Sequence, residues 1–169
     1  MCEYCGCQEI TAIDELTREH DHVVALIGEV RAAHAAARVE RMAGLARRLS
    51  AVLGPHTAVE ERGLFPLLAD DFPDHVAALV AEHRDIEEVL TAAADGTPVD
   101  PRWPDRLVET LEMLREHILK EQDGVFPAAL TSLSGGDWDS VDAVRAEVGI
   151  MLPEPTLAVS IAVDLPKYH

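Results

Sequence analysis

The chain has 169 residues, of which 48% are hydrophobic, and this is the size of one ordinary domain built around a single core. Its 31 acidic and 14 basic residues give a formal net charge of −17, which disfavours binding to nucleic acid and to anionic membrane surfaces. No apolar run approaches the roughly 20 residues that a membrane-spanning helix needs. The N-terminal residues MCEYCGCQE lack the basic and apolar regions of a signal peptide. We therefore expect a cytoplasmic protein.

All three cysteines, Cys2, Cys5 and Cys7, lie in the first nine residues, and we assign residues 1–9 to a cysteine-containing N-terminal tail. A reducing cytoplasm makes a structural disulfide unfavourable, and the spacing Cys-x-x-Cys-x-Cys lacks the fourth ligand of a closed zinc site. Two interpretations stay open. The cysteines bind metal or carry out redox chemistry, through which the tail could engage a protein partner, or they belong to a frayed, reactive tail.

Apolar residues repeat every three or four positions in four successive segments, which is the period of amphipathic helices. The predicted helices occupy about residues 9–37, 42–67, 74–94 and 103–125. Within the second segment, Gly54-Pro55 is predicted to bend or break the helix just before His56.

Four such helices joined by short loops predict an all-α fold, an antiparallel up-down four-helix bundle over residues 10–132. Residues 133–169 are predicted to form a short extra helix, ending at about Gly149, and then an extended C-terminal tail. No internal boundary indicates a second domain.

Two stretches of the sequence repeat one pattern. HTAVEERGLFP at residues 56–66 and HILKEQDGVFP at 117–127 share a His, a Glu four residues later, an acid or amide, and then Gly, an apolar residue, Phe and Pro. REHDHV at 18–23 is similarly answered by AEHRDI at 81–86. Each half of the chain thus contributes a His and then a His-x-x-x-Glu, whose two side chains share one helix face.

The repeated histidines and glutamates fall on stripes predicted to face the core. They are His20, His56, Glu60, His83, His117 and Glu121. Buried charges are costly unless paired or coordinated, and four imidazoles with two bridging carboxylates suit two transition-metal ions. A single His on an apolar stripe is more often a core residue, and a single His-x-x-x-Glu is more often a surface pair. The duplicated order favours the dinuclear metal site over both.

The remaining histidines and the two Phe-Pro pairs are predicted to serve no metal. His22 faces outward, His34 and His75 lie too far along their helices, and His169 is terminal. The Phe-Pro pairs are expected to pack in the core and to end their helices.

With EHDHV, HTAVEERGLFP, EHRDI and HILKEQDGVFP in this order, the sequence resembles the hemerythrin-like (HHE) cation-binding family over about residues 11–130. The resemblance implies a four-helix bundle with a non-haem di-iron centre, in which an oxo or hydroxo bridge joins two iron ions held by the six residues named above. It also implies a small diatomic or peroxide ligand: the protein would bind, sense or detoxify oxygen, nitric oxide or hydrogen peroxide. Whether it consumes peroxide or nitric oxide as an enzyme stays open.

The sequence departs twice from the oxygen-carrying members of that family. They have a fifth His where this chain has Leu79, and an Asp five residues after the last His where this chain has Glu121 four after His117. One iron is therefore expected to be less saturated, or to be completed by Glu87, Tyr4, a tail residue or water. We expect reaction with peroxide or nitric oxide rather than reversible oxygen carriage.

Two other functions, iron storage and redox signalling, require different sequence features. Iron storage of the ferritin type uses Glu-x-x-His, and no Glu stands three residues before any of the four candidate histidines. A redox or iron-homeostasis module that signals through the N-terminal cysteines is the alternative that stays open.

In a metal-free site the two close carboxylates are expected to raise each other's pKa.

Overall fold

The structure is a computed structural model that describes residues 10–152, and over this range all regular secondary structure is helical. The first helix, α1, spans Thr11–Ala35. The second, α2, comprises Val39–Val59, a π-helical turn at Glu60–Leu64 and a last α-helical stretch at Phe65–Leu68. Helix α3 spans Pro73–Thr91. Helix α4 comprises Trp103–Lys120, a π-helical turn at Glu121–Val125 and the stretch Phe126–Ser132, and α5 spans Gly135–Val148.

The first four helices pack together as a helical bundle, in agreement with the all-α fold predicted from the apolar periodicity. Helix α1 packs against α2, α2 against α3, α3 against α4, and α4 against α1, so the four helices enclose a common core. None of the helices in the described range is long and apolar enough to cross a membrane.

Proline and serine chemistry sets several helix starts. Helix α3 begins with Pro73, and α4 has a proline in its first turn, where the missing N–H has no helical partner in any case. Helix α5 begins with a capping box: the Ser134 hydroxyl accepts from the Asp137 N–H, and the Asp137 carboxylate accepts from the Ser134 N–H. The extra helix expected after the bundle is therefore present.

The sequence predicted that the two Phe-Pro pairs end their helices and that Pro55 bends or breaks α2. In the structure, none of these prolines ends a helix. Helix α2 continues through Pro55, and both α2 and α4 continue past their Phe-Pro pairs, to Leu68 and Ser132. In each case the proline of the Phe-Pro pair follows a π-helical turn. The wider turn changes the hydrogen-bonding register just before the proline, so the chain absorbs the missing N–H without stopping the helix.

The core has two clusters of buried apolar side chains, at opposite ends of the bundle. The larger cluster joins the second half of α1, the first part of α2, the second half of α3 and the first part of α4. The smaller cluster joins the other ends of these helices with Trp138 and Val141 of α5. In sequence, the six candidate metal ligands fall where each helix passes from one cluster to the other: His20, His56, His83 and Glu121 lie between residues of the two clusters, and His117 and Glu60 lie next to this boundary.

Helix α5 docks against α2, its π-helical turn and α1. A Cβ atom added at Gly63, in that turn, would lie 3.3 Å from the Cα of Val141. The glycine thus allows a close approach of the two backbones. Gly124, at the equivalent position of the second motif, has nothing within 4 Å, and so this approach is made on one motif only.

Candidate metal centre

The structure brings together all six side chains that the sequence singles out. Their exposed fractions are 1% for His20, 2% for His56 and His117, 8% for His83, and 0% for Glu60 and Glu121. Helices α1 and α3 each contribute one histidine, and α2 and α4 each contribute a histidine and the glutamate one turn later. The pairs His56–Glu60 and His117–Glu121 reach the interior together because residues four apart share a helix face.

Two overlapping groups of ligand atoms form within this cluster. In the first, one ligand atom from each of His20, His56, Glu60 and Glu121 lies within 4.8 Å of the others. The Nε2 atoms of His20 and His56 are 3.1 Å apart. Glu60 Oε1 is 3.2 Å from His56 Nε2, and Glu121 Oε2 is 3.1 Å from His20 Nε2. We call this group the first half-site.

The second half-site combines His83 and His117 with the same two glutamates, again within 4.8 Å. Glu60 Oε2 lies 3.3 Å from His83 Nε2, and Glu121 Oε1 lies 2.9 Å from His117 Nε2. Each glutamate therefore turns one oxygen toward each half-site. This is the arrangement of two carboxylates that bridge a pair of cations.

The same atoms lack ordinary hydrogen-bond partners. Both carboxylate oxygens of Glu60 and of Glu121, and Nε2 of His117, are buried without a contact of hydrogen-bond geometry, although histidine nitrogens lie nearby. Buried polar atoms are normally satisfied, and unpaired carboxylates are especially costly. The donor set therefore fits two cations that would accept these lone pairs, and the mixed imidazole and carboxylate ligation suits iron, zinc or manganese.

Three of the four histidines have a carboxylate on their other ring nitrogen. Nδ1 of His56 lies 2.8 Å from Glu19 Oε2, Nδ1 of His83 lies 2.9 Å from Glu61 Oε1, and Nδ1 of His117 lies 2.7 Å from Glu82 Oε2. A carboxylate in this position favours the tautomer with the proton on Nδ1, so that the Nε2 lone pair faces the centre. Nδ1 of His20 is buried without a hydrogen-bond partner among the described residues.

Two of these outer carboxylates are themselves paired with a basic side chain, in different surroundings. Glu19 is completely buried and binds the guanidinium of Arg145 through both of its oxygens, at 2.8 and 2.9 Å. Glu82 is partly exposed and binds the ammonium group of Lys120, whose side chain is 55% exposed.

The electrostatics of the metal-free centre differ from the sequence-based expectation. Burial opposes the ionisation of Glu60, yet the neighbouring His56 and His83 outweigh it and hold the Glu60 pKa well below its usual range. Burial likewise opposes protonation of His56, but mainly Glu60 and Glu19 raise its pKa to about 10. The expectation that the two carboxylates raise each other's pKa is thus wrong for Glu60, because the histidines dominate its surroundings.

The second half-site behaves similarly. Burial opposes protonation of His117, while the carboxylates of Glu121 and Glu82 raise its pKa to about 9. Burial also opposes protonation of His83, but Glu60 raises its pKa. In the metal-free protein, protons on histidines thus compensate the buried carboxylates, and a metal ion must displace them.

The phenylalanines of the two motifs contact the centre directly. Phe126 stacks on the ring of His20, with centroids 5.6 Å apart, and Phe65 stacks on His83, with centroids 5.8 Å apart. The N–H of Phe65 bonds to the carbonyl of Glu60, and that of Phe126 to the carbonyl of Glu121. Because these turns span five residues, the glutamate and the phenylalanine of each motif both face inward.

A cavity of about 170 Å³ reaches the centre from the side where α2, α3 and α4 meet, and all four histidines line it. Most of its other wall is apolar, including Leu53, Ile86 and Leu114. Gly54 also lines the cavity, and a Cβ atom added there meets nothing within 4 Å. The cavity therefore offers a small molecule a mainly apolar approach to the histidine nitrogens.

The other sequence candidates have mixed outcomes. Neither group of ligand atoms includes His22, His34 or His75. Leu79 packs in the smaller apolar cluster. Glu87 lines the cavity but is in neither ligand group. Tyr4, the three cysteines, His169 and the predicted extended tail lie outside the described residues.

The outer carboxylates and Arg145 were missed by the sequence reasoning. A signal for the carboxylates was present, since Glu19 and Glu82 immediately precede His20 and His83 in the duplicated pair of motifs. Glu61 likewise follows Glu60 directly. Arg145 carried no such signal, because it lies in a short helix outside both repeats.

A helical bundle with four buried histidines and two shared carboxylates defines a candidate carboxylate-bridged, two-metal protein. The family model for the hemerythrin HHE cation-binding domain matches residues 11–129, which is most of the chain, and the protein belongs to this family. No curated protein and no solved structure matches the chain significantly.

Proposed function

We propose that this protein is a hemerythrin-like di-iron protein that binds and senses or consumes small oxidants, namely oxygen, nitric oxide or hydrogen peroxide. The observation that supports the proposal best is the pair of half-sites that share Glu60 and Glu121 and lie beside a cavity lined by all four histidines. Two iron ions held there would supply redox chemistry and open coordination positions for a small ligand.

The protein residues would divide the work as follows. The four histidines and two glutamates bind the ions, with two nitrogens and two carboxylate oxygens for each. Glu19, Glu61 and Glu82 orient three of the imidazoles through Nδ1. The apolar cavity wall excludes bulk water from the ligand side and favours entry of small, uncharged molecules.

Leu79 supports reactivity rather than oxygen carriage. It lies one turn before His83 in α3, where a histidine would be placed to donate a fifth nitrogen, and it is 4% exposed in an apolar cluster. With a leucine there, the described residues give each half-site two histidines. An ion with fewer nitrogen donors keeps a position open for an exchangeable ligand.

We also infer that the bundle has the antiparallel up-down arrangement expected from the sequence. In each neighbouring pair of helices, contacts earlier along one helix are made with residues later along the other. The supporting pairs are Glu29–Arg41 and Glu19–His56 for α1 and α2, Arg47–Ala93 and Glu61–His83 for α2 and α3, Val89–Trp103 and Glu82–His117 for α3 and α4, and His34–Asp105 and His20–Glu121 for α1 and α4.

Metal analysis and an absorption spectrum of freshly purified, full-length protein test the proposal. We expect two iron ions per chain and charge-transfer absorption that changes when hydrogen peroxide or nitric oxide is added. Protein that takes up no more than one metal ion per chain, or that holds iron but shows no spectral response to peroxide, nitric oxide or oxygen, would contradict it.

A further inference from the structure

A buried chain of charge connects α5 to the first half-site. The Arg145 guanidinium donates to both oxygens of Glu19, Nη1 to Oε1 at 2.8 Å and Nη2 to Oε2 at 2.9 Å. Glu19 Oε2 is also 2.8 Å from Nδ1 of His56. Arg145 is 6% exposed and Glu19 is 0% exposed, so water competes little for these contacts.

The geometry fixes the outer carboxylate firmly. A guanidinium that binds both oxygens of a carboxylate sets its plane as well as its position. Glu19 therefore cannot turn away from His56 without losing a buried ion pair. His56 in turn keeps Nε2 directed at Glu60 and His20, where the first half-site would hold its metal ion.

Arg145 also has contacts that anchor it at this position. Its Nε lies 3.2 Å from Glu15 Oε2, one turn before Glu19 in α1, although without hydrogen-bond geometry. Its Nη1 donates to the carbonyl of Gly149 at the end of α5. A buried ion pair is seldom a large net source of stability, since apolar residues of similar volume often serve as well. Its position directly behind a candidate metal ligand indicates a role in the metal site.

Among residues 10–152, the second half-site has no counterpart of this arrangement. Its outer carboxylate Glu82 binds Lys120, a residue of α4 that is more than half exposed. Arg145, by contrast, lies in α5, beyond the residues 11–129 that match the family model. Helix α5 docks on the Gly63 side, where the backbones approach closely, and Gly124 receives no such neighbour.

We propose that α5 contributes to the metal centre through Arg145, which acts as a positioning residue for the first half-site. It holds Glu19 against His56, so this half-site binds its metal ion tightly only while Arg145 keeps Glu19 in place. The inference rests on the proposed two-metal site. It extends that site to a helix that lies outside the matched family domain.

Titration of the metal-free, full-length protein with Co²⁺ tests this role, since the absorption of bound Co²⁺ reports occupancy without any need for turnover. The unmodified protein should bind two Co²⁺ ions. In Arg145→Met we expect one binding step to weaken by about 10–100-fold, the usual effect of losing an outer partner of a ligand, while the other step is unchanged. Val141→Ala, which loosens the same helix without touching the charge chain, should leave both steps within about 2-fold, since it spares every outer partner of a ligand.

A double variant separates positioning from simple stability. Arg145→Met leaves a buried negative charge on Glu19, which can unfold the protein, whereas Glu19→Gln combined with Arg145→Met removes both charges. The amide oxygen of the new glutamine can still accept from His56, so the fold should recover. We expect the weakened Co²⁺ step to persist in this double variant, because His56 then has a neutral partner that nothing holds in place.

Arg145→Lys should restore the weakened step only in part, since an ammonium group cannot bind both oxygens of Glu19 as a guanidinium does. If the double variant instead binds two Co²⁺ ions as tightly as the unmodified protein, Arg145 is merely structural and the inference is wrong. If the unmodified protein binds fewer than two Co²⁺ ions, the two-metal site itself fails, and the proposed function fails with it.

Discussion

The two half-sites have the same ligands but different surroundings. Each combines two histidines with the shared Glu60 and Glu121. Behind the first half-site, Glu19 is sealed from solvent by Arg145, and Nδ1 of His20 has no hydrogen-bond partner among residues 10–152. Behind the second, both histidines have a carboxylate partner, Glu61 and Glu82, and each partner is partly exposed.

The difference shows how a duplicated sequence can produce two unequal metal sites. The residues that would touch metal repeat in order and in geometry, while their outer partners repeat only in part. Glu61 follows Glu60 of the first motif, but Gln122 follows Glu121 of the second. The charge behind each ligand therefore differs, and outer partners of this kind adjust metal affinity. We expect the two half-sites to bind metal with different affinities.

The largest effect is expected from a change that disrupts both half-sites at once. Glu60→Gln should reduce the metal content from two ions per chain to less than one, because Glu60 belongs to both half-sites and a neutral amide bridges cations poorly. The loss should exceed the about 10–100-fold typical of an outer partner. Elemental analysis of purified protein measures it.

His22→Ala is the control for this change, since His22 is near His20 in sequence but belongs to neither ligand group. Its metal content should equal that of the unmodified protein. Full metal occupancy and an unchanged spectrum in Glu60→Gln would refute the assignment of Glu60 as a bridge.

Metal removal should lower the thermal stability, and the deficit should grow with pH. A ligand at 100 times its Kd stabilises a folded protein by about 2.7 kcal/mol. In the metal-free protein, the raised His56 pKa contributes stability that is fully present below about pH 6.5, its ordinary value, and is lost as the pH rises toward 10. The lowered Glu60 pKa contributes stability that is lost only in acid.

Melting curves of metal-free and metal-loaded protein between pH 6.5 and 10 check this prediction. His117, with its pKa raised to about 9, and His56, with its pKa raised to about 10, should both lose a proton over this range. NMR of the imidazole protons in metal-free protein would detect these losses. Equal melting temperatures of the two forms at pH 8 would count against a buried metal site.

An exchange of outer partners should change the difference between the half-sites. Glu61→Gln removes the anionic partner of His83 and should weaken metal binding at the second half-site by up to about 100-fold. Gln122→Glu places a carboxylate at the matching position of the second motif, and we expect it to strengthen the first half-site, where His20 lacks a partner.

Stepwise Co²⁺ titration follows both changes, with Arg62→Gln as the control. Arg62 is next to Glu61 but binds the exposed Glu147, so its loss should leave both steps as they are. If Glu61→Gln and Gln122→Glu both leave the two affinities unchanged, the outer carboxylates do not cause the asymmetry.

A smaller effect is expected at the open position of the second half-site. Leu79→His adds an imidazole one turn before His83, and we expect it to occupy a coordination position and to slow the reaction with hydrogen peroxide several-fold. Stopped-flow absorption measures the rate. Leu79→Met, which keeps the apolar packing, should react at the original rate, and an equal slowing in both variants would mean that packing, not ligation, is responsible.

The smallest effect compares the two motif glycines. Gly124→Ala meets nothing within 4 Å and should raise the free energy of unfolding by about 0.5–1 kcal/mol, because alanine lowers the entropy of the unfolded chain. Gly63→Ala would press on Val141 and should gain less or lose stability. Urea unfolding of both variants measures the difference. An equal increase in the free energy of unfolding would show that α5 can shift to accommodate the new methyl group at residue 63 without loss of stability.

The sequence alone predicted the helices, their approximate limits and the residues that converge. Apolar periodicity and the duplicated His and His-x-x-x-Glu order carry that information, because both reflect which side chains face inward. It predicted a bend or a break at Pro55, where α2 in fact continues as a helix. It did not predict that α2 continues past Phe65 and Pro66, since a π-helical turn has no distinct local pattern. The sequence also could not predict the contact of Arg145 with Glu19, because the two residues are far apart along the chain and no repeated pattern links them.

The two π-helical turns have a consequence for how quickly the centre could exchange its metals. A π-helical turn interrupts the regular hydrogen bonding of the α-helix around it. We therefore expect amide hydrogens at residues 60–64 and 121–125 to exchange with solvent before those of their neighbours. Each turn begins with one of the two glutamates shared by the half-sites, Glu60 or Glu121. If these glutamates bridge two ions as proposed, a local opening of either turn would release a ligand of both ions at once. The lifetime of bound metal would then follow the opening rate of these two short segments, and the rest of the bundle could stay folded while the metals leave.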